Sequence, residues 1–381
     1  MREVYLDNSA TTQPYPQVIE RMARMMEENY GNPSSLHRRG FQAEKEVSAA
    51  RKQVADSLRC QPEEICFTGS GTEADNLALF GTARALRRQG NHILTTAVEH
   101  PAVLQCCHRL EEDGFQVDYI PMTSQGELDM EFALSHLRPE TILCSIMLVN
   151  NELGSIFPVE RFKAAMQAAG SRGLLHTDCV QAYGKLPFTP KKLGADLVTL
   201  SAHKIHGPKG VGALYIRKGV RLAPHLCGGG QERGLRSGTE NTYGIVGFGA
   251  AVEETFAQLP QHIAHLRDLK EYTLSRLPEV ENCVVNSPTK GAPHLLHLSL
   301  PGLRSEIMLH QLESMGIYVS SGSACSAKSH RASHVLTQAG LSDTLLDSAL
   351  RISFGAFNTR EDCDALIEGL KVCRSTLKEK R

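Results

Sequence analysis

Apolar residues fall along the chain in two different rhythms. Near the start they recur at helical spacing, Val18, Ile19, Met22, Met25 and Met26, then Val47, Ala50, Val54 and Leu58, which sets one face of a helix against a core. From about residue 65 to residue 216, short unbroken apolar runs take over, at 65–67, 92–98, 116–120, 142–149, 174–177, 195–200 and 213–216. Runs of that length, with helix-like stretches between several of them, predict strands of a largely parallel sheet in an α/β unit. The spacing predicts helices over 73–86, 245–256 and 262–277, the last two leaving this unit. The pattern then changes: strands are expected at 283–286 and 295–300 and helices at 305–315 and 359–377, a smaller α+β unit. The polar stretch 228–242 reads as a loop, and the Ser-rich 320–333 as a mobile segment.

Composition narrows the function classes. A chain of 381 residues, 41% hydrophobic, supports a large core and two domains. A net charge of −1 implies no general attraction to nucleic acid or to an anionic membrane. With 6% aromatic residues and no Trp, stacking on single-stranded bases is disfavoured. The apolar runs fall far short of the roughly 18 residues of a membrane span. Eleven cysteines, an odd count without paired spacing, argue against a disulfide framework and for a reducing compartment, most simply the cytoplasm. Cys106-Cys107-His108 sits in a helical stretch where adjacent side chains diverge, and no Cys-x-x-Cys completes a tetrahedral site, so no metal is expected.

Several polar residues stand where apolar runs end. Lys204 follows the run 195–200, within Ser201-Ala202-His203-Lys204, and Asp178 closes Leu174-Leu175-His176-Thr177-Asp178. A lysine amine can form an imine with the aldehyde of pyridoxal phosphate, and a carboxylate can keep the pyridine nitrogen protonated, so that the ring accepts electrons from a substrate carbanion. Lys209, in a Pro/Gly turn, is the competing lysine and reads as solvated. Ser201 and His203 can donate to a phosphate. So can the backbone at Gly69-Ser70-Gly71-Thr72, between a strand and a helix, where Thr72 can cap the helix or offer its hydroxyl; a plain Gly/Ser turn is the alternative. Gln181 can donate to the cofactor's phenolic oxygen or sit exposed on a helix. His100 can lie on the pyridine ring and shuttle protons from a near-neutral pKa, or cap the helix that follows. Asn151 can hydrogen-bond cofactor or substrate, or only make a turn. Arg351, inside an apolar run, needs either a substrate carboxylate or a structural salt bridge. Cys325 is followed by Lys328, His330 and Arg331, whose charge favours thiolate. A nucleophile on a swinging segment is weighed there against a harmless exposed thiol.

In their joint order and spacing, Tyr5-Leu6-Asp7-Asn8-Ser9-Ala10-Thr11-Thr12, Thr72-Glu73, Glu99-His100, Asn150-Asn151-Glu152, residues 176–181, 201–212, 233–239 and 320–325, and Arg351 resemble the group I cysteine desulfurases, pyridoxal-phosphate enzymes that supply sulfur for iron–sulfur clusters and thiolated tRNA. The resemblance runs nearly end to end. It implies a fold-type I transferase: a large domain (13–258) on a mainly parallel seven-stranded sheet, and a smaller α+β domain (1–12 and 259–381) carrying the catalytic-cysteine segment at about 320–333. It implies a homodimer with its active site at the subunit interface. Lys204 is then the imine-forming lysine, Asp178 the partner of the pyridine nitrogen and Gln181 that of the phenolic oxygen, with His100 stacked on the ring. Gly71, Thr72, Ser201 and His203 hold the phosphate, joined by the partner subunit's Thr239. Asn151 and Arg351 hold the substrate carboxylate, and Cys325 carries a persulfide as L-cysteine becomes L-alanine. The implied acceptor is an iron–sulfur scaffold or a tRNA-thiolation enzyme. A selenocysteine lyase or group II-type desulfurase is the neighbouring alternative. A non-catalytic sulfur-relay platform is the alternative of another class, and intact Lys204 and Asp178 speak against it.

Overall fold

The computed structural model describes residues 2–321 and 333–377. A short strand, β1 (Val4–Tyr5), precedes seven longer ones: β2 (Ile65–Thr68), β3 (His92–Thr96), β4 (Gln116–Ile120), β5 (Thr141–Ser145), β6 (Leu174–Asp178), β7 (Leu197–Ser201) and β8 (Gly212–Ile216). These seven form one sheet in the order β2-β8-β7-β6-β5-β3-β4. From β4 through β7 neighbouring strands are parallel, and β8 runs antiparallel to both β7 and β2. The expected mainly parallel α/β sheet is therefore present. Later in the chain come β9 (Val284–Val285), β10 (Leu295–Ser299), β11 (Ile317–Tyr318) and β12 (Ala349–Ser353). β10 pairs antiparallel with β9 and β12, while β1 pairs in parallel with β11.

Every residue of β3, β5, β6, β7 and β8 is buried. Burial on both faces is why these strands read as unbroken apolar runs. Successive side chains point to opposite faces, and they divide accordingly. Leu174, Leu197 and Leu214 pack with Leu77, Ala78, Val103 and Cys107 of two helices, α3 (Gly71–Leu86) and α4 (Pro101–Glu112), which follow α1 (Pro16–Glu28) and α2 (Arg38–Leu58) in the chain. Leu175, Val198 and Ala213 face the other way, into a cluster with Val47, Val54, Ile245 and Phe248. A separate cluster draws on Val4 and Leu6 near the start and on Leu266, Leu296, Leu350 and Leu366 late in the chain.

The run 142–149, expected as one strand, is shorter as a strand and ends at Ser145. The chain still follows β6, since the N–H groups of Ile146 and Leu148 donate to the His176 and Asp178 carbonyls. It then turns sharply as Asn150 Oδ1 accepts the N–H groups of Glu152 and Leu153, each at 2.9 Å, and that turn carries Asn151 to the end of the sheet.

Candidate active site

A cavity of about 270 Å³ opens at the carboxyl ends of the parallel strands, where open α/β sheets bind their ligands. Gly71, Thr72, His100, Asn151, Asp178, Gln181, Ser201, His203, Lys204 and Arg351 all line it. The sheet explains the meeting: Asp178 and Ser201 end the adjacent strands β6 and β7, Lys204 closes the single turn after β7, and His100 sits just before α4. Thr239 is exposed and borders a different cleft of the same chain. Cys325 lies outside the described residues.

Lys204 Nζ donates to the Ser9 and Ala10 carbonyls at 2.5 and 2.7 Å. Lys209, its competitor in sequence, is exposed and is not among the cavity residues. Asp178 is buried and accepts the Val180 N–H at 2.8 Å. Burial pushes its carboxyl up to about 6, although the Val180 N–H and Lys204 pull the other way. A second carboxylate, Asp75 on α3, also lines the cavity and is 1% exposed. Burial, and after it Asp178, push Asp75 well above the usual carboxylate range. His176 Nε2 lies 3.6 Å from Asp75 Oδ1, but burial lowers that imidazole to about 3, so it supplies no compensating charge at neutral pH.

His100 is both a cap and a cavity residue: its Nδ1 accepts the Ala102 N–H at 3.1 Å. Burial, then Lys204 and His334, bring it down to about 4. That is far from the near-neutral value on which a proton-shuttling role was expected, and at neutral pH the ring holds one proton, on Nε2. Thr72 does not cap α3. The helix begins at Gly71 rather than Glu73, and the cap is Ser70, whose hydroxyl accepts the Glu73 N–H at 3.1 Å. Glycine permits that early start, because a Cβ at position 71 would lie 3.0 Å from Val180 Cγ2 and 3.4 Å from Ser201 Cβ. Arg351 lines the cavity and makes the structural salt bridge. Its Nη2 pairs with Asp7 Oδ1 at 2.9 Å and its Nη1 donates to the Asn151 carbonyl at 3.0 Å, while its buried Nε–H has no partner among the described residues.

Sequence reading gave no role to Ser9, Ala10, Asp7 or Asp75. The first three come from a distant part of the chain, brought over the cavity by bonds such as Thr12 N–H to the His203 carbonyl at 3.0 Å. Asp75 did leave a signal: a lone acid among Ala74, Leu77 and Ala78 on the inward side of a helix is out of place unless something is built around it. Glu99 is similar. It is fully buried and accepts from Thr96 Oγ1 at 2.9 Å and from the Met147 N–H at 2.8 Å, and burial pushes it from 4.5 to about 8. An acid raised on folding favours the fold below its unfolded pKa and loses that contribution as pH climbs towards the folded value. Glu99→Gln, which keeps an acceptor oxygen, is expected to raise Tm at pH 8 by about 2 °C or more and to change it little at pH 5. Thermal melts at the two pH values check this, and an equal effect at both would contradict it.

The family profile described as Aminotransferase class-V matches residues 4–366. The chain belongs to the class-V aminotransferase family. It is 42% identical over 368 residues to a curated protein named cysteine desulfurase IscS from Methanosarcina thermophila, covering 96% of this chain and 91% of that one. A solved structure described as a NifS-like protein superposes with a TM-score of 0.93 at 38% identity, covering 99% of this chain and 100% of the other. Another, described as SspA in complex with cysteine, gives 0.81 at 32% identity, covering 94% and 100%. Class-V aminotransferases of this kind depend on pyridoxal phosphate, and the cavity suits that group. The Asp178 carboxylate, costly to bury alone, would gain from a cationic ring nitrogen. The N-terminal residues of α3, Gly71 and Thr72, line the cavity beside Ser201 and His203, and a helix N-terminus is a setting for a phosphate.

Proposed function

We infer that this chain is a pyridoxal-phosphate-dependent cysteine desulfurase, which converts L-cysteine to L-alanine and passes the sulfur to a protein thiol. The observation that carries this reading is Lys204 and Asp178 meeting over one cavity from adjacent parallel strands, in a chain 42% identical to a curated cysteine desulfurase. When bound, pyridoxal phosphate supplies a conjugated ring that takes up the electron pair left at Cα. Lys204 Nζ carries the cofactor covalently and then moves the Cα proton. Asp178 holds the proton on the ring nitrogen, Gln181 donates to the phenolic oxygen, and His100 covers the ring face. Gly71, Thr72, Ser201 and His203 hold the phosphate, with the partner subunit's Thr239. The Cys325 thiolate would attack the substrate sulfur: an S–S bond forms at Cys325 as the C–S bond breaks, the bonding electron pair stays on the substrate β-carbon, that carbon takes up a proton, and alanine leaves.

Arg351 and Asn151 hold the substrate carboxylate in this reading, and the Nε–H of Arg351, which has no partner among the described residues, is the open donor. A charge-assisted hydrogen bond contributes about 1.5–3 kcal/mol, so Arg351→Lys is expected to raise KM for L-cysteine about 10- to 100-fold. Steady-state kinetics check this, and an unchanged KM would remove Arg351 from substrate binding.

The reading as a whole is tested by supplying L-cysteine to the purified chain, measuring alanine, and weighing the Cys325 peptide. One sulfur added to that peptide per alanine released is expected. No alanine would overturn the function, and alanine with sulfur on another cysteine would overturn the role of Cys325.

The chain works as a homodimer in the cytoplasm and hands its sulfur to an iron–sulfur scaffold or a tRNA-thiolation enzyme. Among the described residues no helix is long and apolar enough to cross a membrane. Its division into 13–258 and 1–12 with 259–381 is supported by the separate cluster that joins Val4 and Leu6 to the late strands and helices.

A further inference from the structure

The Gln181 carboxamide is held from two sides. Its Nε2 donates to the Ser9 carbonyl at 3.0 Å, and its Oε1 lies 3.4 Å from His294 Nε2. A backbone carbonyl only accepts, so the amide nitrogen must face Ser9 and the amide oxygen must face His294. An amide oxygen also only accepts, which places the imidazole proton on His294 Nε2. His294 is 0% exposed and immediately precedes β10. Burial, then Lys185, Lys270, His262 and Arg351 around it, hold its basicity well below the ordinary value, so the ring is neutral and Nδ1 is a bare acceptor. Neither that Nδ1 nor the Nζ of buried Lys185 has a hydrogen-bond partner among the described residues. The donor on Gln181 is thus set by a neighbour that itself lies outside the cavity wall.

We propose that His294 is a positioning residue: by donating from Nε2 to Gln181 Oε1 it fixes the carboxamide so that its second amide N–H is left to donate to the cofactor's phenolic oxygen. This rests on the reading of Gln181 as the partner of that oxygen. An apolar side chain at 294 leaves Gln181 Oε1 buried without a donor, and the amide relieves that cost by rotating away from its donating pose.

The test titrates apo-protein with pyridoxal phosphate and records its dissociation constant and the position of the visible band. His294→Leu is expected to bind about tenfold more weakly with a displaced band. His294→Asn, which restores an N–H donor, is expected to stay within about threefold of wild type. In a Gln181→Ala background, His294→Leu is expected to add less than about twofold, because contacting residues couple while independent ones add. Binding by His294→Leu equal to wild type, or the same penalty in both backgrounds, would overturn the proposal. Nitrogen NMR of His294 in the unsubstituted apo-protein decides independently of any variant's folding: a proton on Nε2 is required, and a proton on Nδ1 would overturn it. Wild-type protein that takes up no cofactor would instead overturn the functional reading itself.

Discussion

Lys204→Ala lowers kcat by at least about 10⁴-fold and leaves no borohydride-fixed pyridoxyl group on the protein. Two losses combine at one atom. In the proposed function Nζ is the covalent attachment point and also the base at Cα, a role that by itself contributes about 10²- to 10⁴-fold. Among the described residues no other lysine lines the cavity, since Lys209 is exposed and away from it, and Lys185 is buried outside the cavity wall. The same substitution has a second signature that does not depend on turnover. After burial, Lys204 is the largest cause of the lowered His100 pKa, which stands at about 4. Removing the ammonium must therefore raise that value, while burial keeps it below the ordinary one. Proton NMR of His100 in the apo-protein reads the shift. Residual turnover above about 1% of wild type, or a pyridoxyl adduct on Lys209, would remove Lys204 from its place.

How much of this was legible in the sequence follows from physics that differs between residues. The central strands were readable because both faces are buried, so β6 and β7 appear as apolar runs whose last residues line the cavity. The placement of Asp178, Ser201 and Lys204 at one end of the sheet then follows from parallel pairing alone. β1 and β11 were not readable: each is two residues long, and they pair across most of the chain, a contact with no local signature. The Asp7–Arg351 pair and the Ser9 and Ala10 carbonyls on Lys204 are invisible for the same reason. The start of α3 was misplaced because Gly69-Ser70-Gly71-Thr72 offers two plausible hydroxyl caps, and only the packing of Gly71 against Val180 and Ser201 chooses Ser70. His100 shows a subtler limit. Its position at a strand end could be read, but its titration depends on burial and on Lys204 and His334, both far away in sequence.

Asp178→Asn is the second large effect, expected to lower kcat by about 10³-fold. The sign follows from the carboxyl's surroundings. Burial raises Asp178 to about 6, and the nearby Asp75 is raised well above the usual range, partly by Asp178 itself. Two buried carboxyl groups whose one compensating cation among the described residues is Lys204 favour a bound positive charge, so a protonated ring nitrogen is the group that best offsets them. An ion pair at about 4 Å and an effective dielectric near 20 is worth roughly 4 kcal/mol, which converts to about 10³ in rate. Asparagine fills the same space and can still accept the Val180 N–H, so the fold should survive, but it cannot hold the ring proton. With the carboxylate gone, one cause of the raised Asp75 pKa goes with it, and Asp75 should titrate lower in the variant. A pyridoxal phosphate analogue methylated on the ring nitrogen carries a permanent positive charge and needs no carboxylate to keep it. Loading Asp178→Asn with that analogue should recover much of the lost rate, whereas a residue that merely shaped the cavity would show no such rescue. Wild-type turnover in Asp178→Asn with the ordinary cofactor would refute the pairing of this carboxylate with the ring.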